Sequence, residues 1–599
     1  MAAVNTQHIE KLLVVAIDFG TSYSGYAFSF KAEYITDPMR IYAKRWPDGY
    51  TKTPTVLLLD QNQEYVAFGS DAETKYAELA HNNDHYEYYY FRHFKMALHA
   101  KEDLTLNEEI EDKQGRHVLA SIVFMHSIRA LKGMIETDLK KSTTIIKEDE
   151  IYWILTVPAI WNDAAKQFMR EAAVKAGIKH RNLRLALEPE AASIYCKEKI
   201  VEREETGPNP ELTALKTGSK FMVVDMGGGT VDVTVREVAE GRKLKEIHIA
   251  TGGPWGGMKV NENFMNFMEE LLGHDVWYKF CADRTLDMLE MEADFERKKR
   301  GIGLDSKDKV RIRLPFAVNK IFKKIMGKRL DNEWVHTTGF QDHVQIREDK
   351  LILDPELIRS FFNASIQSIV EHLQKILDKT DVGTFYLVGG FAESPLVYET
   401  FLQKFPGKRI VCHEDAALCV LRGAVLYGHD PKIVVTRICR NTYGTEGMRY
   451  FIKDHDPEEN KVMVDGEPFC KVFHKYAEIE QAVSSDEQIM SEMEALTARM
   501  TSMKIPVLIS QKKDPVYTSK QECRQLGNIR LKMSNTTGGL DRKVTISMVI
   551  GDSELDVEAV DTTSGEKVAV SFDLLGNASD TRQVDRAFAS LNEKKAFTE

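Results

Sequence analysis

Residues 225–233 read DMGGGTVDV, and the surrounding run SKFMVVDMGGGTVDVTVREV (219–238) is two apolar strands joined by consecutive glycines. The leading strand ends on an acid, Asp225, and the turn Gly227-Gly228-Gly229-Thr230 is followed by a second acid, Asp232. Glycine admits backbone conformations that turn successive amide N–H groups into a concave anion site, with no Cβ in the way of a phosphate oxygen. One such turn is weak evidence, because a tight hairpin uses glycine for its geometry alone. The pattern recurs, however. Upstream, the apolar run Leu12 to Ile17 feeds Asp18-Phe19-Gly20-Thr21-Ser22; downstream, TFYLVGG ends in Val388-Gly389-Gly390. Two hairpins of this kind facing each other could hold a polyphosphate from both sides. An aspartate at the end of each leading strand could reach the accompanying Mg²⁺ through its waters, since that ion sheds its hydration reluctantly.

Other nucleotide machines are excluded by position. Asp18-Phe19-Gly20 would mark the metal-holding aspartate of a protein kinase, but only 17 residues precede it, and His180-Arg181 is followed by Asn182 where a catalytic loop needs aspartate. No G-x-x-x-x-G-K-[ST] occurs in the chain. The 91 acidic and 80 basic residues leave a net charge of −11, against a nucleic-acid surface. No apolar run approaches the ~20 residues of a membrane span, and the N-terminus MAAVNTQHIEKLL has no secretory pattern. The expectation is a soluble, cytoplasmic protein, with the nucleus as an alternative. Seven cysteines without a Cys-x-x-Cys pair indicate thiols rather than a zinc site or a disulfide framework.

At 599 residues the chain should form two or more domains. Residues 11 to about 435 alternate strand-like and helical runs, as α/β proteins do. IYWILTVPAIW (151–161) is a strand stopping at Pro158, followed by a helix with Asn162 or Asp163 placed to cap it. From Asp354, apolar residues at helical spacing run to Leu377 and predict one long helix. Beyond residue 435 the short alternating runs IRLKMS, KVTISMVI, ELDVEAVD and KVAVSFDL predict a β-rich domain over 436–575. Within it, SSDEQIMSEMEALTARM (484–500) reads as a helical insertion reaching to about 503, and residues 576–599 read as a short tail.

The ordered set Asp-x-Gly-Thr-Ser, Asp-x-Gly-Gly-Gly-Thr-x-Asp and Val-Gly-Gly resembles the actin, sugar kinase and heat-shock ATPase superfamily. Within it, GTSYSG, TVPAIWND, LEPEAASIY, DMGGGTVDV and FERKKRGI are similar to segments of the 70-kDa heat-shock proteins in the same order. FRHFKMALH, GGPWGGMKV and VGGFAESPL look like the divergent member-12 branch of that family. The resemblance covers residues 11 to 430 well and the rest more loosely. It implies an α/β, actin-like (ribonuclease H-like) two-lobed ATPase domain followed by the small β-rich domain.

It also implies a site. Gly20, Thr21, Ser22 and Tyr23 would line the first phosphate hairpin, Gly227, Gly228, Gly229 and Thr230 the second, with Gly256, Gly257, Gly389 and Gly390 in the turns around them. Asp18 and Asp225 would hold Mg²⁺ through water, supported by Asp232. Lys95 falls where the family positions the attacking water, and Glu188 lies near that water; Asp225 and Thr230 complete the catalytic set. Phosphoryl transfer needs mostly positioning and charge neutralisation, so this inventory is chemically sufficient. Read alone, Lys95 is a solvated lysine and Glu188, before Pro189, a helix start. Glu296, Lys299 and Arg300 match a helix that contacts adenosine; at spacing i, i+3, i+4 they share one face, which a charged solvent face would also do.

The chain departs from the family in three places. Glu393 stands where the family usually presents an arginine that stacks on adenine, which a carboxylate cannot do. The segment 430–444 lacks the acidic, leucine-rich linker, and after Leu575 only 24 residues remain, too few for a helical lid. The expectation is an ATP/ADP- and Mg²⁺-binding, stress-response chaperone and weak ATPase, a monomer acting on protein clients or signalling partners and not on nucleic acid. A nucleotide-sensing scaffold that does not hydrolyse is the alternative; a small-molecule kinase would need an acidic base beside a sugar pocket, and the sequence shows none.

Overall fold

The computed structural model describes residues 11–571, apart from short stretches at 48, 100, 102–103, 106, 143–145, 200–201, 205–210, 214, 486, 520 and 552–554. The tail read at 576–599 lies outside the described residues.

Strand Leu13–Phe19 is buried at every position, as a central strand covered on both faces must be. It pairs in parallel with Ile151–Val157, which pairs in parallel with Leu183–Leu187. On its other side it forms an antiparallel hairpin with Tyr23–Phe30, which continues to Tyr42–Ala43. The second lobe repeats this plan. Lys220–Met226 pairs in parallel with Thr384–Val388, and that strand with Arg409–Cys412; on the other side it forms an antiparallel hairpin with Val231–Val238, followed by Leu244–Gly253. In both lobes the sheet order, numbered along the chain, is fifth, fourth, first, second, third. Each lobe therefore presents a turn between its first two strands at the same place, and the carboxyl ends of its parallel strands beside it.

The lobes meet across helices Glu188–Lys199 and Cys419–His429, whose buried residues join Val14, Ala16 and Ile154 of one sheet to Phe221, Val223 and Tyr386 of the other in a single core. The helices touch backbone to backbone at Gly423, where a Cβ would stand 1.7 Å from the Ala191 carbonyl oxygen. Separate cores lie on the outer faces of the two lobes.

Three expectations change. The segment expected to form one helix from Asp354 is two, Pro355–Ser360 and Asn363–Leu377. Phe361 and Phe362 both enter the core, and the intervening turn tightens to i→i−3 bonds, from Phe361 N to the Ile358 carbonyl and from Phe362 N to that of Arg359. The helical insertion near 484–503 is absent: Ala482–Ser484 and Ile489–Glu494 are strands, the second antiparallel to Lys543–Ile550 with a cross-strand Lys543–Glu492 pair at 2.8 Å. Glu, Met and Ala are good helix formers, but propensity is a small preference per residue, and pairing with a neighbouring strand that half-buries Ile489, Ser491 and Met493 on one face outweighs it. The division at 435 also shifts, because strand Val434–Ile438 belongs to the second lobe's sheet, parallel to the Leu244 end of its third strand. Ala482–Ser484 of the following domain adds to its far side, so the sheet has seven strands.

Beyond it, a five-stranded sheet containing Thr442–Tyr450, Glu467–Ala477, Ser502–Ser510 and Arg524–Lys532 packs on a four-stranded sheet of Ile489–Glu494, Lys543–Ile550, Leu555–Asp561 and Lys567–Ser571. Among the described residues, no helix is long and apolar enough to cross a membrane.

Candidate functional site

The two hairpin turns face each other across the cleft. A Cβ on Gly228 would stand 2.2 Å from Ser22 Oγ, and one on Gly229 would stand 2.7 Å from Thr21 Oγ1, so the approach of the lobes requires glycine at both positions. Gly20 is equally constrained, its Cβ position lying 2.2 Å from the Tyr23 carbonyl oxygen. The second turn is held from behind by the loop Gly253–Gly257. The amides of Gly256, Gly257 and Met258 donate to the carbonyls of Gly229, Gly227 and Gly228 at 3.2, 3.1 and 2.8 Å. In a trans peptide the N–H opposes the carbonyl, so this loop turns the amides of Gly228, Gly229 and Thr230 the other way, in the sense of an anion-binding nest. Gly389, at φ +87°, lies against the same turn, where a Cβ would meet the Met226 carbonyl oxygen at 2.4 Å. Gly256, Gly257 and Gly389 thus shape the second turn from behind, and Gly390 is exposed.

Four buried carboxylates converge here: Asp18, Asp225, Asp232 and Glu188. Asp18 accepts hydrogen bonds from Thr156 Oγ1 at 3.0 Å and from Lys52 Nζ at 2.5 Å. Lys95 enters on the short helix Phe94–Leu98, which His93 starts from a left-handed backbone at φ +58°. Its buried Nζ donates to Glu188 Oε1 at 2.7 Å and lies 5.3 Å from the centroid of the Trp161 ring. Glu188 opens the helix Glu188–Lys199, so its two readings coincide: it starts a helix and faces Lys95. Asp232 accepts from the Ile160 amide at 2.9 Å, linking the second lobe to the loop after Ile151–Val157 of the first.

Electrostatics follow from this crowding. Burial pushes Glu188 up to about 7, Lys95 opposing and Asp18 and Asp232 adding to the shift. Burial, then Glu188, Asp232 and Asp18, hold Asp225 well above the usual carboxylate range. Burial raises Asp232 too, against the Ile160 amide and the Thr230 hydroxyl. Four acids face two lysines, and a site lined this way calls for hard cations with oxygen preference. The residues therefore fit a Mg²⁺–nucleotide pair: carboxylates for the ion, glycine-lined amides for the phosphates.

The expected base-binding residues divide. Lys299 is buried and donates to the Gly257 carbonyl and Asn261 Oδ1, each at 2.7 Å, and pairs with Glu296 at the same distance. Lys299 is thereby tied to the loop behind the second turn. Arg300 is exposed, pairs with Glu296 at 3.0 Å, and lies 5.6 Å from the Tyr23 ring centroid across the cleft. Glu393, also exposed, accepts from the Ala417 amide at 3.3 Å and is within electrostatic range of Arg300. Sequence reading missed Lys52, Thr156 and Trp161. Nothing local marks Lys52, in YTKTPT, because the strand pairing that carries it to Asp18 is long-range.

Two lobes of one topology, closing glycine hairpins on each other with an acid at the end of each leading strand, define the actin-like, two-lobed ATPase fold. The chain belongs to the Hsp70 family, whose model, described as Hsp70 protein, matches residues 91–590. It is 30% identical to human heat shock 70 kDa protein 12A over 94% of this chain and 92% of that protein, and 30% identical to human heat shock 70 kDa protein 12B over 94% and 91%. Chaperone protein DnaK of Thermotoga petrophila aligns at 25% identity over 52% of this chain and 48% of its own length. The chain is thus an Hsp70-like ATPase of the member-12 branch.

Proposed function

We propose that this protein is an atypical Hsp70-type chaperone that binds Mg²⁺–ATP between its lobes and hydrolyses it slowly, nucleotide state setting lobe closure and thereby what the β-rich domain binds. The observation that carries this reading is the opposition of the two glycine hairpins beside the Lys95–Glu188 pair. Asp18 and Asp225 would hold the ion, with Asp232 supporting them; when bound, it offsets phosphate charge and polarises the γ-phosphoryl group. The amides of Gly228, Gly229 and Thr230 and the hydroxyls of Thr21 and Ser22 bind and orient the phosphates. Lys95, fixed by Glu188 and Trp161, brings charge to the γ-position. Glu188, titrating near neutrality, orients the attacking water and can accept its proton. Pre-positioned groups of this kind need no reorganisation at the moment of reaction. The clients or signalling partners, the cytoplasmic setting and a stress role belong to the same reading.

A second reading, a nucleotide-sensing scaffold without turnover, is favoured by Glu393 in the place of a base-stacking arginine. Single-turnover hydrolysis of Mg²⁺–ATP by wild type and Lys95→Ala, with binding measured on both, separates the two. Hydrolysis by wild type with binding but no hydrolysis by the variant supports the ATPase, the expected loss being on the order of 100-fold or more for a group that neutralises transition-state charge. Binding by both without hydrolysis by either leaves the scaffold.

A further inference from the structure

Lys52 is an unusual residue to find in a phosphate site that already has Lys95. It is no loose surface lysine: the segment around it is fastened to the first phosphate hairpin. Thr53–Pro54 pairs antiparallel with Ser24 and Tyr23. The Thr55 amide donates to the Ser22 carbonyl at 2.8 Å, Thr55 Oγ1 donates to the Gly20 carbonyl at 2.8 Å, and Ser24 Oγ lies 2.7 Å from Thr55 Oγ1. The aliphatic stem crosses Gly25, where a Cβ would stand only 3.0 Å from Lys52 Cγ. So directed, the ammonium lies on Asp18 Oδ2 at 2.5 Å, within electrostatic range of Asp225 and Glu188, and of Glu393 across the cleft. Its carboxylate partner, Asp18, is one of the two that the proposed function gives to the metal. The lysine thus stands where the proposed metal and phosphates would meet, between the two lobes.

We propose that Lys52 is a resident cation of the nucleotide site: it shares Asp18 with the divalent ion and bonds a phosphate oxygen of the bound nucleotide, so that ADP binding survives metal removal. An ammonium is a compact point charge with three donors on a flexible stem, able to keep one bond to a carboxylate while giving another to phosphate. This inference rests on the proposed nucleotide binding. The plainer reading, a lysine that only neutralises Asp18 and never meets the ligand, makes a different prediction.

The test is ADP binding by calorimetry to the full chain, in excess Mg²⁺ and in EDTA, for wild type, Lys52→Thr and Lys52→Arg. Wild type should weaken only modestly on chelation, whereas Lys52→Thr should weaken by a further 10- to 100-fold or so, the value of one charge-assisted hydrogen bond. Lys52→Arg should stay near wild type. Thermal unfolding with Mg²⁺ alone gives a readout without nucleotide: Mg²⁺ should stabilise Lys52→Thr, whose acids have lost a counter-ion, more than wild type. Equal loss on chelation in wild type and Lys52→Thr overturns the role of Lys52 while leaving the nucleotide site standing. No ADP binding by folded wild type in either buffer overturns the proposed function and this inference together.

Discussion

Replacing Arg437 by methionine should detach the strand that joins the two halves of the molecule. Arg437 lies on Val434–Ile438, buried, with Nη1 2.7 Å from Glu190 Oε2 and Nη2 2.9 Å from Glu190 Oε1. Glu190 is on the first turn of the helix that Glu188 opens, with Arg236 Nη2 also 3.5 Å away and Arg184 within electrostatic range. The strand itself is held lightly, in parallel register at Val434 and Thr436 and by the Ile438 amide, which donates to Glu246 at 3.0 Å. Removing one member of a buried pair leaves a buried charge and costs about 3–5 kcal/mol. Arg236 softens this toward the lower end, so ~3 kcal/mol, or roughly a 100-fold shift in local opening, is expected.

Hydrogen exchange read by mass spectrometry on 434–438 and 482–484 measures that opening locally, where a global unfolding midpoint would mix several domains. Exchange should accelerate by about two orders of magnitude in both segments, because Ala482–Ser484 pairs only through Val434–Ile438 in this sheet. Glu190→Gln combined with Arg437→Met should recover part of the loss, since no unpaired carboxylate is then buried. Acceleration of less than about threefold in the single variant would refute the claim that this ion pair, rather than the backbone ladder, holds the strand.

Two further outcomes follow from the cleft. Gly228→Ala places a Cβ 2.2 Å from Ser22 Oγ, so the hairpins must separate; ADP affinity measured by calorimetry should fall by about 10-fold or more with little change in secondary structure, and an unchanged affinity would dissociate the hairpin contact from binding. Glu188 is raised from 4.5 to about 7, so its protonated form adds stability that is fully present below pH 4.5 and lost as pH rises through about 7. Asp225 and Asp232 act in the same sense. The nucleotide-free protein should therefore lose thermal stability between roughly pH 5 and 8, and Glu188→Gln should show a shallower slope; identical slopes would contradict the assignment.

The lobes were legible because their signals are local: buried apolar strands, glycine turns and acids at strand ends, each within about ten residues. The four sandwich strands after residue 523 were legible from alternation for the same reason. What failed depended on partners far along the chain. SSDEQIMSEMEALTARM contains good helix formers, yet its Ile489–Glu494 portion becomes a strand because Lys543–Ile550 offers it a ladder and half-buries its odd positions. The break at Phe361–Phe362 is invisible to helical periodicity, since both residues satisfy it; only the packing of two adjacent aromatic rings decides against a continuous helix. Lys52 carried no signal, because its meaning lies in Asp18, 34 residues away.

The segment LEPEAASIY shows how much chemistry a resemblance can leave unread. Glu188 and Glu190 are two positions apart at the start of one helix, so their side chains diverge around its axis. One meets Lys95 in the cleft, the other Arg437 on the strand leading to the β-rich domain. Burial acts on both, with opposite outcomes. At Glu188 it prevails over a single lysine amid other acids, and the group titrates near neutrality; at Glu190, Arg437 and then Arg236 prevail over burial, and the group stays ionised below the usual glutamate range. The first suits a group that exchanges a proton with water, the second a permanent fastening. One helix turn thus carries both a cleft group and the fastening of the strand that leads to the β-rich domain, a juxtaposition that the linker's sequence alone does not advertise.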